Sequence, residues 1–298
     1  MDDVDDLDDG VDPMVLGTGY ALYRHGQDRL AAQITDGVRA ALSEWDPGIP
    51  EGGSPGASEI RWGVAPVDLT ATRFTRDWSS LIGQDHLRER FGVRVESALA
   101  RHGRLPHTLL ESQEYGMGKR HFARVLASLV DVKLVELIAP FPARALYDAL
   151  ALLDYRDILF IDEIDRIDGF GAAALTTLLE ARTVQFEGEE VLASEITVIA
   201  GTVMPDALPA AVIDGFPVTD QLVPYTWEEM AKIAIELIFE HRCEELIDNT
   251  LASRIAGRVT TPAHCRRLVV AARDLIMARG ECTIDDVMAM VVSVAAPG

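Results

Sequence analysis

"LLESQEYGMGKRHFARVLASLV" (Leu109–Val130) has an apolar lead-in, two glycines, a lysine and then apolar residues at helical spacing. That is the order of a strand, a tight loop and an amphipathic helix. A phosphate-binding loop of the form G-x-x-x-x-G-K-[ST] has this plan. Its backbone N–H groups cradle phosphates, its lysine reaches the terminal ones, and its hydroxyl holds magnesium. Anchored on Lys119, the stretch supplies Gly116, Met117, Gly118 and Lys119 in register, with Gln113 at the first glycine position and Arg120 at the hydroxyl position. If the first position needs a positive φ, Gln113 either carries about 1–3 kcal/mol of strain or reshapes the loop. Arg120 is the larger departure, because a guanidinium cannot ligate magnesium, which demands oxygen donors.

A second stretch supports the reading. "ILFIDEID" (Ile158–Asp165) is an apolar run that ends in adjacent carboxylates, with Asp162 and Glu163 standing 43 and 44 residues after Lys119. In a phosphate-loop enzyme the Asp supports magnesium and the Glu polarises the attacking water. Two solvated acids at a strand end would not explain why the strand follows the loop at a suitable distance.

Around these motifs the chain alternates. "PHTLLES", "DVKLVEL", "RDILFIDEID" and "SEITVIAGT" read as short buried strands separated by helical stretches, which predicts a parallel sheet with right-handed crossovers. From about Pro224 the strands stop. "TWEEMAKIAIELIFEHRCEEL", "NTLASRIAGRV", "TPAHCRRLVVAARDLIMARG" and "TIDDVMAMVVSVA" read as consecutive helices, with Thr261 and Pro262 forming a helix start. The expected organisation is an acidic tail, helical appendage and Pro/Gly linker over 1–58, an α/β domain over 59–223 and a small all-helical lid over 224–298. The linker is "DPGIPEGGSPGAS" (Asp46–Ser58).

Composition narrows the function classes. The 298 residues carry a net charge of −21, and residues 1–68 alone hold 14 acidic against 4 basic side chains. Such a chain repels phosphate backbones, so direct DNA binding is expected to be weak or to run through a partner. Lys119 is one of only three lysines among 27 basic residues, which makes its place in the loop more informative. No run of about 18 uncharged apolar residues predicts a membrane span, and the acidic start makes a cytoplasmic location the default. Cys243, Cys265 and Cys282 are few and unclustered, as reduced thiols are. His264 and Cys265 lack the second ligand pair a zinc site needs.

From about Asp68 to Val292 the chain resembles the AAA+ ATPases, most closely their RuvB branch of Holliday-junction branch-migration motors. "LIGQDHLRERF" (Leu81–Phe91) matches the segment beside the adenine, which implies nucleotide contact at Leu81 and Ile82. "DILFIDEIDRI" resembles the family's acidic strand, and "ITVIAGT" its sensor-1 strand, with Thr202 at the polar sensor position. "TTPAHCRRLVVAARD" resembles the sensor-2 helix of the lid. The resemblance implies ATP or ADP as cofactor, catalytic roles for Asp162, Glu163 and Thr202, and magnesium, if any is used, at Asp162. It also implies AAA+ subunits, like or unlike, or another protein as partner.

The departures fall on the chemistry. Ile213 and Gly215 stand where the family places its arginine-finger segment, and Ala263 follows Thr261–Pro262 where the sensor-2 arginine is expected. No winged-helix domain is expected after the lid. An arginine finger is worth about 10³–10⁵ in rate, so the expected function is a nucleotide-binding, poorly hydrolysing ring subunit or regulatory platform. Two alternatives stay open: an interaction module without nucleotide, and an ATPase motor completed by a partner.

Overall fold

The computed structural model describes residues 78–186 and 188–293. The appendage and linker expected over 1–58 lie outside the described residues. Within the described chain, five strands form one parallel sheet: β1 (Thr108–Ser112), β2 (Leu134–Ile138), β3 (Ile158–Asp162), β6 (Thr197–Thr202) and β7 (Val218–Leu222). They run in the order β2-β3-β6-β1-β7. A short antiparallel hairpin, β4 (Thr183–Phe186) and β5 (Glu189–Leu192), stands apart from the sheet.

The pleat sorts the side chains. Leu109, Leu159 and Ile161 enter one core, lined by α3 (Ala143–Ala151) and α4 (Gly169–Ala181). Leu110, Ile158 and Phe160 enter the other, lined by α1 (Asp85–Arg101) and α2 (Lys119–Val130). Successive residues of a strand point to opposite faces, so a strand buried on both sides must be apolar throughout. That is why "ILFI" is legible as a central strand. Helix α2 presents Phe122, Val125 and Leu126 inward, and Phe122 meets the Phe91 ring edge-on at 5.0 Å.

After the short α5 (Ala210–Asp214) and β7, the chain is helical: α6 (Trp227–Glu240), α7 (Asn249–Ala256), α8 (Pro262–Arg279) and α9 (Ile284–Ser293). These four share a core of their own, with Ala234, Ile255, Leu268, Val269, Ala272 and Val287 almost fully buried. Thr226 and Glu229 form a reciprocal capping box on α6. Thr261 caps α8 by accepting from the His264 N–H, with Pro262 in the first turn.

Two expectations need correction. Helix α6 ends at Glu240 rather than running on through "HRCEEL": Arg242 takes φ 53° and the chain turns so that Cys243 is wholly buried. Strand β7 was not foreseen, because "VTDQL" alternates around a buried Asp220 rather than an apolar residue. Asp220 is held by the guanidinium of Arg90 on α1, with Arg94 at 3.8 Å. Among the described residues no helix is long and apolar enough to cross a membrane.

Candidate nucleotide site

Strand β1 lies between β6 and β7, and the loop after it opens at the carboxyl ends of the strands, where open α/β sheets hold ligands. Gly116 and Gly118 take φ of +79° and +102°, the left-handed values that glycine adopts at little cost. Gln113 is not among the positive-φ residues, so the loop forms without strain at its first position. Helix α2 has Gly118 at its N-cap, with no capping side chain and no acid in its first turn. Its leading N–H groups and positive dipole end are therefore available to an anion. In these respects the cradle fits a phosphate.

Lys119 is almost completely buried and donates to Ser112 Oγ at 2.6 Å, and that hydroxyl in turn donates to the Glu114 carbonyl at 2.7 Å. Burial pulls the lysine below its ordinary range, with Asp162, Asp165 and Glu163 opposing the shift. Gly201 of β6 makes room for it. A Cβ at Gly201 would stand 3.0 Å from Lys119 Cε and 3.2 Å from Asp162 Oδ1.

Arg120 reaches across the site. Its Nη2 donates to Asp162 Oδ2 at 3.0 Å and its Nε lies 3.6 Å from Glu136 Oε2. Glu136, on β2, also receives a two-pronged contact from Arg124, at 2.7 and 3.1 Å. The donor set here does not fit magnesium. No hydroxyl follows the lysine, and the acidic strand's own Asp162 is already neutralised by a guanidinium.

The other expected catalytic groups are also engaged. Glu163, at φ 53°, accepts from Arg166 Nη1 at 2.6 Å. The Thr202 hydroxyl donates to Asp165 Oδ1 at 2.8 Å and accepts from the Met204 N–H at 3.0 Å. Asp165 Oδ1 also accepts from the Val203 N–H at 3.2 Å, and Oδ2 takes a third partner from the loop, the Tyr115 hydroxyl at 3.3 Å. Sequence reasoning passed over Asp165 as a site residue. The signal was there in "DEID", where a carboxylate three residues beyond Asp162 can fold back over the strand end.

The helical region closes on the loop. The Ala263 N–H donates to the Gly116 carbonyl at 3.2 Å, the Tyr225 hydroxyl donates to the Met117 carbonyl at 2.9 Å, and Thr260 Oγ1 donates to Glu114 Oε2 at 3.3 Å. A Cβ at Gly116 would lie only 2.5 Å from the Ala263 Cβ. Leu81 is buried in the same core cluster as Met117, and Ile82 is half-buried beside it. Gly83, next in the chain, packs against the Glu229 carboxylate of α6.

The segment with Ile213 and Gly215 is at the end of α5. Ile213 is half-buried against the core, and a Cβ at Gly215 would stand 2.7 Å from Leu179 Cδ1. A side chain at Gly215 would have to shift Leu179 of α4. Cys265 is fully buried, with its thiol pushed up to about 12 by desolvation. No group of three or more potential metal ligands occurs among the described residues.

Residues 74–222 match the family model described as the Holliday junction DNA helicase RuvB P-loop domain. A Holliday junction branch migration complex subunit RuvB from Anaeromyxobacter is 30% identical over 219 residues, covering 68% of this chain and 62% of that protein. Its counterpart from Synechococcus strain WH7803 is 27% identical over 269 residues, covering 85% of this chain and 67% of the relative. The chain thus spans roughly two thirds of the length of those relatives. Among solved structures, the Thermotoga maritima RuvB Holliday junction branch migration motor superposes with a TM-score of 0.60 at 24% identity, over 72% of this chain and 70% of that one.

Proposed function

The chain belongs to the RuvB P-loop family, and from that premise we propose that it binds ATP or ADP without magnesium and hydrolyses it poorly. It acts, in this reading, as a ring subunit or regulatory platform beside other AAA+ subunits in a DNA-transaction or remodelling assembly. The observation that carries the proposal is the 3.0 Å contact between Arg120 and Asp162. A fixed positive charge on the acidic strand end takes the place that a metal ion would need, and it adds to Lys119 in balancing the phosphates.

Each residue then has a stated part. The amides of Gly118 and of the first turn of α2 hold phosphate oxygens, and Lys119 turns from Ser112 toward them. Gly116 and Gly118 keep the backbone clear for that approach. Glu163 Oε2 is tied to Arg166, and that cation draws on the carboxylate charge that would polarise a water. Without an arginine at Ile213 or Gly215, the chain lends no finger to a neighbouring site. An arginine finger is worth about 10³–10⁵ in rate, so a neighbour relying on this chain would turn over slowly. Direct binding to duplex or four-way DNA is weak, in the non-specific range of about 10⁻⁴–10⁻⁶ M at physiological salt, because the net charge of −21 opposes it.

A second reading is an interaction module that holds no nucleotide. The contact of Ala263 with Gly116 favours it, since the helical region already lies on the loop. Equilibrium binding of ATP and phosphate release, measured on one preparation, separate the readings. Binding with negligible turnover supports the proposal. Absence of binding supports the module, and efficient turnover supports a motor.

A further inference from the structure

The amino ends of the strands, opposite the phosphate loop, carry a cavity of about 600 Å³. Leu105 and Pro106 precede β1, Tyr155 precedes β3 and Glu195 precedes β6, so the topology brings three strand entries to one place. Helix α1 supplies the wall, with Arg94, Ser97 and Arg101 at spacings of three and four residues and therefore on one face. Arg104 follows in the loop. Among the described residues three guanidiniums thus line one cavity, in a chain of net charge −21, and Glu195 is the one carboxylate lining it.

The arginines keep donors to spare. Among the described residues, Arg101 bonds through Nε alone, to Ser97 O at 3.2 Å and Ser97 Oγ at 3.3 Å. Gly103 leaves its guanidinium room, since a Cβ there would lie 3.1 Å from Nη1. Arg104 donates from Nη1 to the Leu105 carbonyl at 3.1 Å, and its Nε is 3.7 Å from Glu195. Arg94 lies over the Phe91 ring at 4.9 Å from its centre, 3.8 Å from Asp220. The rim is apolar: Val93 is 69% exposed and Tyr155 56% exposed, the tyrosine hydroxyl being fixed on the His102 carbonyl at 3.2 Å.

We propose that this cavity is a binding site for a small organic phosphate, the phosphate held by Arg101 and Arg104 and its apolar body laid against Tyr155 and Val93. Planar guanidiniums bind phosphate oxygens in forked pairs. A cavity of this size takes a small ligand of mixed character. The five residues of β1 separate it from the phosphate loop by about 17 Å, so the two sites are distinct and can be tested apart.

The experiment is calorimetric titration of the full chain, without added nucleotide, with phenyl phosphate, inorganic phosphate and phenol. Phenyl phosphate should bind at least ten-fold tighter than either fragment, and less tightly as salt rises. Arg101→Gln with Arg104→Gln should weaken it by about ten-fold or more. Glu195→Gln, which removes the cavity's carboxylate, should tighten it several-fold, a gain that misfolding cannot imitate. Arg279→Gln, at the last residue of α8 and outside the cavity, should leave it unchanged. The proposal is overturned if phenyl phosphate does not bind, if it binds no better than inorganic phosphate, or if its binding survives the double arginine change.

Discussion

Arg120 donates to Asp162 across 3.0 Å, and the two residues join the first turn of the helix after the phosphate loop to the end of the acidic strand. Each is partly exposed, at 39% and 20% of the side chain, so the pair contributes only modestly to stability. In the proposed function its weight lies in the site. In a metal-using site the carboxylate stays free for magnesium or its waters, whereas here it has a resident cation.

Asp162→Asn therefore tests what the carboxylate does. Removing a negative charge beside the phosphates, while Arg120 keeps Glu136 nearby, should leave ATP binding in EDTA unweakened. Calorimetry checks this. A loss of ten-fold or more would show that the acid supports nucleotide binding in a way the Arg120 contact does not explain.

Gly116 and Gly92 make a contrasting pair. Gly116 combines φ +79° with a neighbouring Ala263 methyl that an added Cβ would meet at 2.5 Å. Gly116→Ala should destabilise the protein by about 1–3 kcal/mol, through backbone strain and a displaced α8. Gly92 lies within α1 with nothing inside 4 Å of a Cβ, and Gly92→Ala should stabilise by roughly 0.5–1 kcal/mol. Urea midpoints measure both, and equal effects of one sign would contradict the geometry.

His107 gives a pH prediction. Its Nδ1 accepts from the Val198 N–H at 2.9 Å, which requires the neutral ring, and burial followed by the charge of Arg104 lowers it from 6.5 to about 4. The unfolded chain takes up a proton near pH 6.5 and the folded chain only near 4, so the histidine's contribution is lost as pH falls between those values. The loss is about 3 kcal/mol at most, at roughly 1.4 kcal/mol per unit. His107→Gln should flatten this part of the stability profile relative to the parent chain. An unchanged slope between pH 6.5 and 4 would refute the assignment.

The fold was legible where burial forces a pattern. "ILFID" and "TVIAGT" are apolar because helices cover both faces of a central strand, and Thr261–Pro262 marks a helix start whatever surrounds it. Strand β7 was not legible, because its inward residue is Asp220, whose burial depends on Arg90 some 130 residues away. The same limit applies in the candidate site. Spacing and resemblance singled out Lys119, Asp162, Glu163 and Thr202, and all four come to the carboxyl ends of the strands. Their present partners were not. Ser112, Asp165 and Arg166 look like ordinary polar residues until the loop and strand are brought together. The contact of Ala263 with Gly116 could not be read at all, since it joins two segments that only tertiary packing makes neighbours.

ATP affinity measured by calorimetry in EDTA and in excess magnesium, on the parent chain and on Arg120→Thr, tests the central claim most directly. The parent should bind with about the same affinity in both conditions, because Arg120 occupies the metal's side of the site. Arg120→Thr restores a hydroxyl and frees Asp162, so its binding should become magnesium-dependent by about ten-fold or more without restoring full turnover. Binding by the parent only in magnesium, or by neither condition, would contradict the account.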